Sequence, residues 1–225
     1  MKWWASAASE TQITHGQRLW LYCLAVIVMC LLVIPTVIVI PMSFSDSQYL
    51  EFPPQTWSLR WYHEYLDTPR WMNATVTSFK VASLTMLVAT PFGTMAAYGL
   101  FVSGSRLGKI VFFMLMTPMI VPVILIAIGT FYVFGKLGLV NSILGLVLAH
   151  TVLSVPIVMI IITAALRTYD LNQERVAQSL GSTRLRAFFE ITLPQLKFSI
   201  LTAALLAFLT SFDEVIISRF LSGGG

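Results

Sequence analysis

The sequence predicts an all-α fold, a polytopic membrane helical bundle, and three observations carry that expectation. The 225-residue chain is 57% hydrophobic and only 11% charged. Its mean hydropathy is +0.81. Its apolar residues gather in five long runs rather than in short alternating segments. Soluble domains are roughly 45–50% apolar and about 25% charged, so this chain has too little polar surface to face water all round. Long runs also exclude an outer-membrane barrel, whose strands are short and alternate. The same composition excludes a cytosolic enzyme, a disordered chain and a nucleic-acid-binding module, despite a net charge of +4; basic excess here reads as topology, and no nucleic acid is expected as a partner.

Crossing the hydrocarbon core takes about 20 apolar residues as a helix, because every backbone polar group must be bonded within the segment. The first run, Leu19 to Phe44, is long enough, and its length without a small-residue cleavage site marks an anchor rather than a signal peptide. The second runs from Val81 to Val102, the third from Ile110 to Phe134, the fourth from Ser142 to Leu166 and the fifth from Leu196 to about Ile217. Pro35, Pro91, Pro118, Pro122 and Pro156 fall inside these runs and are expected to kink them, each removing a backbone bond. Cys23 and Cys30, seven apart in the first run, would lie about 10 Å apart on a helix, too far for a disulfide.

Orientation follows from the short loops. One side holds Lys2, Arg18, Arg106, Lys109, Arg167, Arg175, Arg184 and Arg186; the other holds Arg60, Arg70, Lys136 and Arg219. The excess puts the N-terminus, residues 1–18, in the cytoplasm and residues 19–225 in the membrane region. Residues 45–79 are then external, with six aromatics from Trp57 to Phe79. That spacing suggests a short helix at the lipid–water interface, serving as an anchoring belt or as a docking surface.

The long cytoplasmic connection, residues 167–194, is the most informative segment. Leu171, Val176, Ala177 and Leu180 share a helical stripe, and Gly181 can end that helix. Ser182 can cap a second helix over Thr183 to Ile191, with Leu185, Phe188 and Phe189 apolar and Arg184 and Arg186 basic. Pro194 closes the piece before the fifth run. A helix–glycine–helix elbow of this kind could seat in a groove of a partner protein, or rest on lipid headgroups.

The pattern Ala177, Gly181 and Ile191-Thr192-Leu193-Pro194 resembles the signature loop of ATP-binding-cassette importer permeases, Glu-Ala-Ala-x3-Gly-x9-Ile-x-Leu-Pro. Two departures stand out: Arg175 occupies the place of the family's Glu, with Glu174 one position earlier, and Val176 replaces the first Ala. Likeness to spermidine/putrescine-type permeases extends through Trp57-Ser58-Leu59-Arg60-Trp61-Tyr62, Pro69-Arg70-Trp71 and Ser211-Phe212-Asp213-Glu214-Val215-Ile216. The resemblance implies a type I importer permease of the bacterial inner membrane. It would pair with a homologous permease, two ATPase subunits and a periplasmic solute-binding protein, and translocate a polyamine or related amine. Glu174, Arg175, Ala177, Gly181, Ser182, Arg184, Leu193 and Pro194 would then form the coupling surface toward the ATPase. Family members carry a sixth span, so the chain is expected to be truncated after Gly225. Spermidine-type relatives also place an acid after the proline of the third span, where this chain has Val123 after Pro122.

Asp213 and Glu214, beside Phe212, are the acids placed to meet a cationic solute if they lie at membrane depth, or are simply wet if the fifth span has already ended. His150, inside the fourth run, is a proton or substrate contact or a buried, hydrogen-bonded histidine. No His, Cys and acid spacing matches a metal site, and no catalytic constellation is present. Gly104-Ser105-Arg106-Leu107-Gly108-Lys109 has one residue too few between its glycines, and Ile110 in place of Ser or Thr, for a phosphate-binding loop. No cofactor is therefore expected in this chain; ATP and magnesium belong on the partner ATPases. The competing readings are an ion-gradient-driven secondary transporter, which calls for central intramembrane acids and usually an internal repeat, and a scaffold subunit that carries no solute.

Overall fold

A computed structural model of the chain describes Trp4 and residues 14–222. Lys2, used in the orientation count, and the closing triglycine lie outside the described residues. The chain falls into two units, Met1–Asn73 and Ala74–Gly225.

In the first unit, helix α1 (Leu19–Met42) is 24 residues long and contains no buried residue. A helix apolar on every face and with no buried residue is suited to lipid or to another subunit. Pro35 and Pro41 sit inside it without breaking it, and Cys23 and Cys30 are free and exposed. After α1 the backbone folds back through an isolated antiparallel bridge between Ser45 and Trp57. Arg60 Nη1 donates to the Asp46 carbonyl at 3.0 Å and Trp61 Nε1 to the Ser47 carbonyl at 3.2 Å. These bonds hold the expected short helix, α2 (Arg60–Asp67).

Helix α3 (Pro69–Ser103) begins twelve residues before the expected second span. The apolar count starts only at Val81, whereas the helix already includes Arg70, Asn73 and Lys80. The segment 45–79 therefore holds the expected short helix and, from Pro69 on, the start of α3 as well. At 35 residues the helix measures about 52 Å, well beyond the roughly 30 Å hydrocarbon core.

The expected third span is broken. Helix α4 (Arg106–Met116), capped by the Ser105 hydroxyl, and helix α5 (Val123–Leu137) meet at a bend of 99°. Pro118 and Pro122 bracket that bend, whereas Pro91 and Pro156 lie within continuous helices. Two prolines four apart withdraw two adjacent donors, and no single turn can compensate.

Helix α6 (Ile143–Leu166), capped by Ser142, is the most deeply covered of the candidate spans. Two apolar clusters share it. One joins α3, α4 and α6 through Ala89, Ala97, Met116, Val158 and Ile162; the other joins α5 and α6 through Ala127, Leu146 and Ala149. Beyond α6 come α7 (Asn172–Ser179), α8 (Arg184–Ala187), a π turn (Phe188–Thr192) and the single turn α9 (Leu193–Gln195). Helix α10 (Lys197–Phe212) follows across a 76° bend, and α11 (Ile216–Leu221) follows α10. Gly16–Met42, Pro69–Ser103 and Ile143–Leu166 are long and apolar enough to cross a membrane, and each bent pair adds one crossing if it is counted as a single span.

Candidate functional site

The elbow between α6 and α10 is built by local chemistry. Asp170 accepts from the Asn172 backbone N–H at 2.9 Å and so starts α7. At the far end Gly181 adopts φ +93°. Ser182 N–H reaches back to the Ala177 carbonyl and Gly181 N–H to the Gln178 carbonyl, both at 3.0 Å. That pair of bonds is the Schellman closure, which needs a residue free to take the left-handed conformation. The second helix is capped by Thr183, whose Oγ1 accepts from Arg186 N–H at 3.3 Å, and not by Ser182. It is also shorter than expected: after Ala187 the chain widens into the π turn, and Pro194 opens α9 instead of ending a helix. Arg186 and Glu190 pair at 2.9 Å on the surface, a contact of small energetic weight.

Burial sorts the elbow into two faces. Val176, Leu180, Leu185 and Phe189 are exposed, Leu180 to 83%. Arg175 and Arg184 are exposed beside them, while Ala177 and Leu193 are half-buried. Ala187 and Phe188 turn inward, the Phe188 ring packing at a tilt against Tyr98 with centroids 4.5 Å apart.

Glu174 does not join the outer face. It is 3% exposed, so the acidic contact expected toward a partner is turned into the chain. Tyr98, from α3, donates to Glu174 Oε2 at 2.6 Å. The Thr192 hydroxyl donates to Glu174 Oε1. Since that donation uses the only proton of Thr192, its oxygen accepts from Tyr169, 2.9 Å away. Burial pushes the Tyr169 phenol above its ordinary pKa, against the opposing hydrogen bond with Thr192, so it stays protonated and able to donate. Arg184 lines the same 240 Å³ cleft as Glu174, a cation beside a carboxylate that burial would otherwise penalise. Sequence reasoning missed Tyr98, Tyr169 and Thr192; nothing in the spacing of residues 76 apart links Tyr98 to Glu174.

The second candidate region lies where α10 ends. Phe212 is its last residue, Asp213 its cap, and the backbone is irregular to Val215. The fifth run is thus interrupted at the two acids. Glu214 Oε1 accepts from Ile217 N–H at 2.8 Å, closing the start of α11. Asp213 stays exposed and, with Leu209, Thr210, Phe212 and Glu214, lines an open 550 Å³ cleft. Phe212 stacks on Phe208 (5.7 Å) and meets Phe79 (4.9 Å).

Beneath this break lies His150, 2% exposed. Ser218 donates to the Glu214 carbonyl at 2.7 Å, which leaves its oxygen to accept from His150 Nε2 at 3.2 Å. His150 Nδ1 then accepts from the Ser211 hydroxyl at 2.8 Å. The imidazole is the satisfied, buried alternative, and it ties the two sides of the break together. Nothing in the sequence linked Ser211 or Ser218 to His150, because a lone Ser on an apolar helix is common. Among the described residues no group of His, Cys and acids is placed to hold a metal.

Residues 89–225 match the family of binding-protein-dependent transport system inner membrane components. The chain is 34% identical over 176 residues to the putrescine transport system permease protein PotI of Escherichia coli K12, covering 75% of this chain and 63% of that protein. It is 28% identical over 198 residues to the spermidine/putrescine transport system permease protein PotC of Haemophilus influenzae, covering 88% and 76%. With PotC of Escherichia coli K12 it shares 27% identity over 192 residues, 85% of this chain and 72% of that one. The chain thus spans less than two thirds of the length of the putrescine permease it resembles. The family match takes in the last 15 of the 35 residues of α3 and all of α4 to α11, the elbow and the broken fifth span included, so this chain belongs to the inner membrane components of binding-protein-dependent transport systems.

Proposed function

We propose that the chain is the permease subunit of an ATP-driven bacterial importer for putrescine, spermidine or a related amine. It lies in the inner membrane with its N-terminus in the cytoplasm. A homologous permease, two ATPase subunits and a periplasmic solute-binding protein complete the complex, and ATP and magnesium are held by the ATPases. The observation that carries this reading is the elbow: a glycine-hinged pair of short helices with exposed Val176, Leu180 and Leu185 beside Arg175 and Arg184. Such a surface fits a groove in a partner protein. A push on it reaches the spans through the bend before α10, which packs along α6.

Recognition of the amine is assigned to the cleft at the α10 break. Glu214 is occupied as a helix cap, whereas Asp213 is exposed at the negative end of α10 beside Phe212. Carboxylate and aromatic face together suit an alkylammonium group. The carboxamide variant Asp213→Asn is expected to raise the KM for labelled putrescine about tenfold, the weight of one charge-assisted contact. Glu214→Ala is expected chiefly to lower stability by about 1 kcal/mol through the lost cap. Uptake unchanged in Asp213→Asn would remove that residue from recognition.

Co-purification from native membranes tests the whole assignment. ATPase chains should accompany the solubilised protein, and Leu180→Asp should release them; a protein that purifies without ATPase chains is a different kind of transporter or a scaffold.

A further inference from the structure

We propose that Glu174 is the joint that locks the elbow to the membrane spans, a positioning residue for coupling that makes no contact with the partner ATPase. The proposal rests on the import reading above and adds to it how a push on the elbow is shared. Four segments meet at this one carboxylate. Glu174 comes from α7, Tyr98 from the inner part of α3, Tyr169 from the link leaving α6, and Thr192 from the turn leading into α10. The hydroxyls act in one direction, Tyr169 to Thr192 to Glu174 on one side and Tyr98 to Glu174 on the other. Every donor is thereby used, and the carboxylate accepts on both oxygens. Phe188 packs on the Tyr98 ring, so the same joint has an apolar half.

Three features separate this joint from ordinary packing. An acid this deeply covered is costly unless its hydrogen bonds are complete, and here both carboxylate oxygens accept from hydroxyls of other segments. Its partners belong to the elements that must move together if the elbow drives the spans, and to the elbow itself. Hydrogen bonds to a charged acceptor are also directional and short, so they fix distance where apolar contact would let α7 slide over α3. The neighbouring bond from Gln195 Nε2 to Gln173 Oε1, 2.6 Å, ties α7 to α9 at the exposed edge of the same joint.

The test uses the complete importer in proteoliposomes, with ATP hydrolysis and putrescine uptake measured on the same sample. Tyr98→Phe removes one donor and leaves both the ring and the carboxylate, and Glu174→Gln keeps the shape but sets an amide donor against the hydroxyl donors. Both variants are expected to retain the ATPase subunits and near-normal basal hydrolysis, while uptake per ATP falls about tenfold. Glu174→Asp, a carboxylate one methylene shorter, should recover part of the loss. Unchanged uptake per ATP in both variants would overturn the joint. So would loss of the ATPase subunits from Glu174→Gln, which would make Glu174 a docking residue. Failure of the import reading registers separately, as absence of ATPase chains from the unmodified protein.

Discussion

Replacing Gly181 with proline is expected to abolish substrate-stimulated ATP hydrolysis while leaving the protein inserted in the membrane. Proline fixes φ near −65°, and Gly181 stands at +93°. The substitution also deletes the N–H that bonds the Gln178 carbonyl and disfavours the helical conformation of Leu180 before it. The Schellman closure is therefore lost, and with it the angle between α7 and α8. Nothing lies within 4 Å of a Cβ built at this position, so the effect is one of backbone conformation and not of collision. Gly181→Ala provides the calibration. It keeps the N–H and pays about 1–2 kcal/mol for the left-handed conformation, so coupling should weaken without vanishing. Hydrolysis and uptake measured together in proteoliposomes read both variants. Normal stimulation in Gly181→Pro would mean that the elbow is not the coupling element.

Where hydrophobic periodicity alone decides, the sequence was readable. The first and fourth runs became continuous helices within a few residues of their expected ends, because nothing but lipid or apolar neighbours competes for those positions. The turn at Gly181 was readable for a different reason, since only glycine takes that conformation at low cost. Three things were not readable. Apolar content says nothing about direction, so the 99° bend inside the third run was invisible except as two of the six prolines that fall within the runs. Adjacent hydroxyls at Ser182 and Thr183 are equally able to cap, and the choice between them depends on one residue of register. Glu174 and Arg175 sit about 100° apart on a helix, and which of them faces outward is decided by Tyr98, a residue from a different span. At the α10 break both expectations hold in part: the helix does end at the acids, yet one of them is consumed as a cap and the other faces an open cleft.

The crossing of α3 and α6 supplies the largest expected loss of stability. Ala89, Gly93 and Ala97 follow one another at four-residue intervals and all are buried. A Cβ at Gly93 would stand 2.7 Å from both Cβ and Cγ1 of Val158 and 3.3 Å from the Val155 carbonyl oxygen. Small residues let helices approach closely enough for dispersion contacts to hold them where no water drives association. Val158 is fully buried and β-branched, so it has no free rotamer with which to yield. Gly93→Val is therefore expected to cost at least the upper part of the usual overpacking range of about 1–3 kcal/mol, seen as a lower unfolding midpoint in detergent. Gly99→Ala is the control, on the same helix but with nothing within 4 Å of the added carbon; there the gain in helix propensity, about 1 kcal/mol, should be the only effect. A double-mutant cycle decides the cause. If contact with Val158 is responsible, Val158→Gly, which removes both contacting carbons, should reverse much of the loss from Gly93→Ala, giving a coupling energy of about 1 kcal/mol or more. Additive losses would place the cost in the backbone of α3 instead, and the close approach of these two helices would no longer account for the glycine.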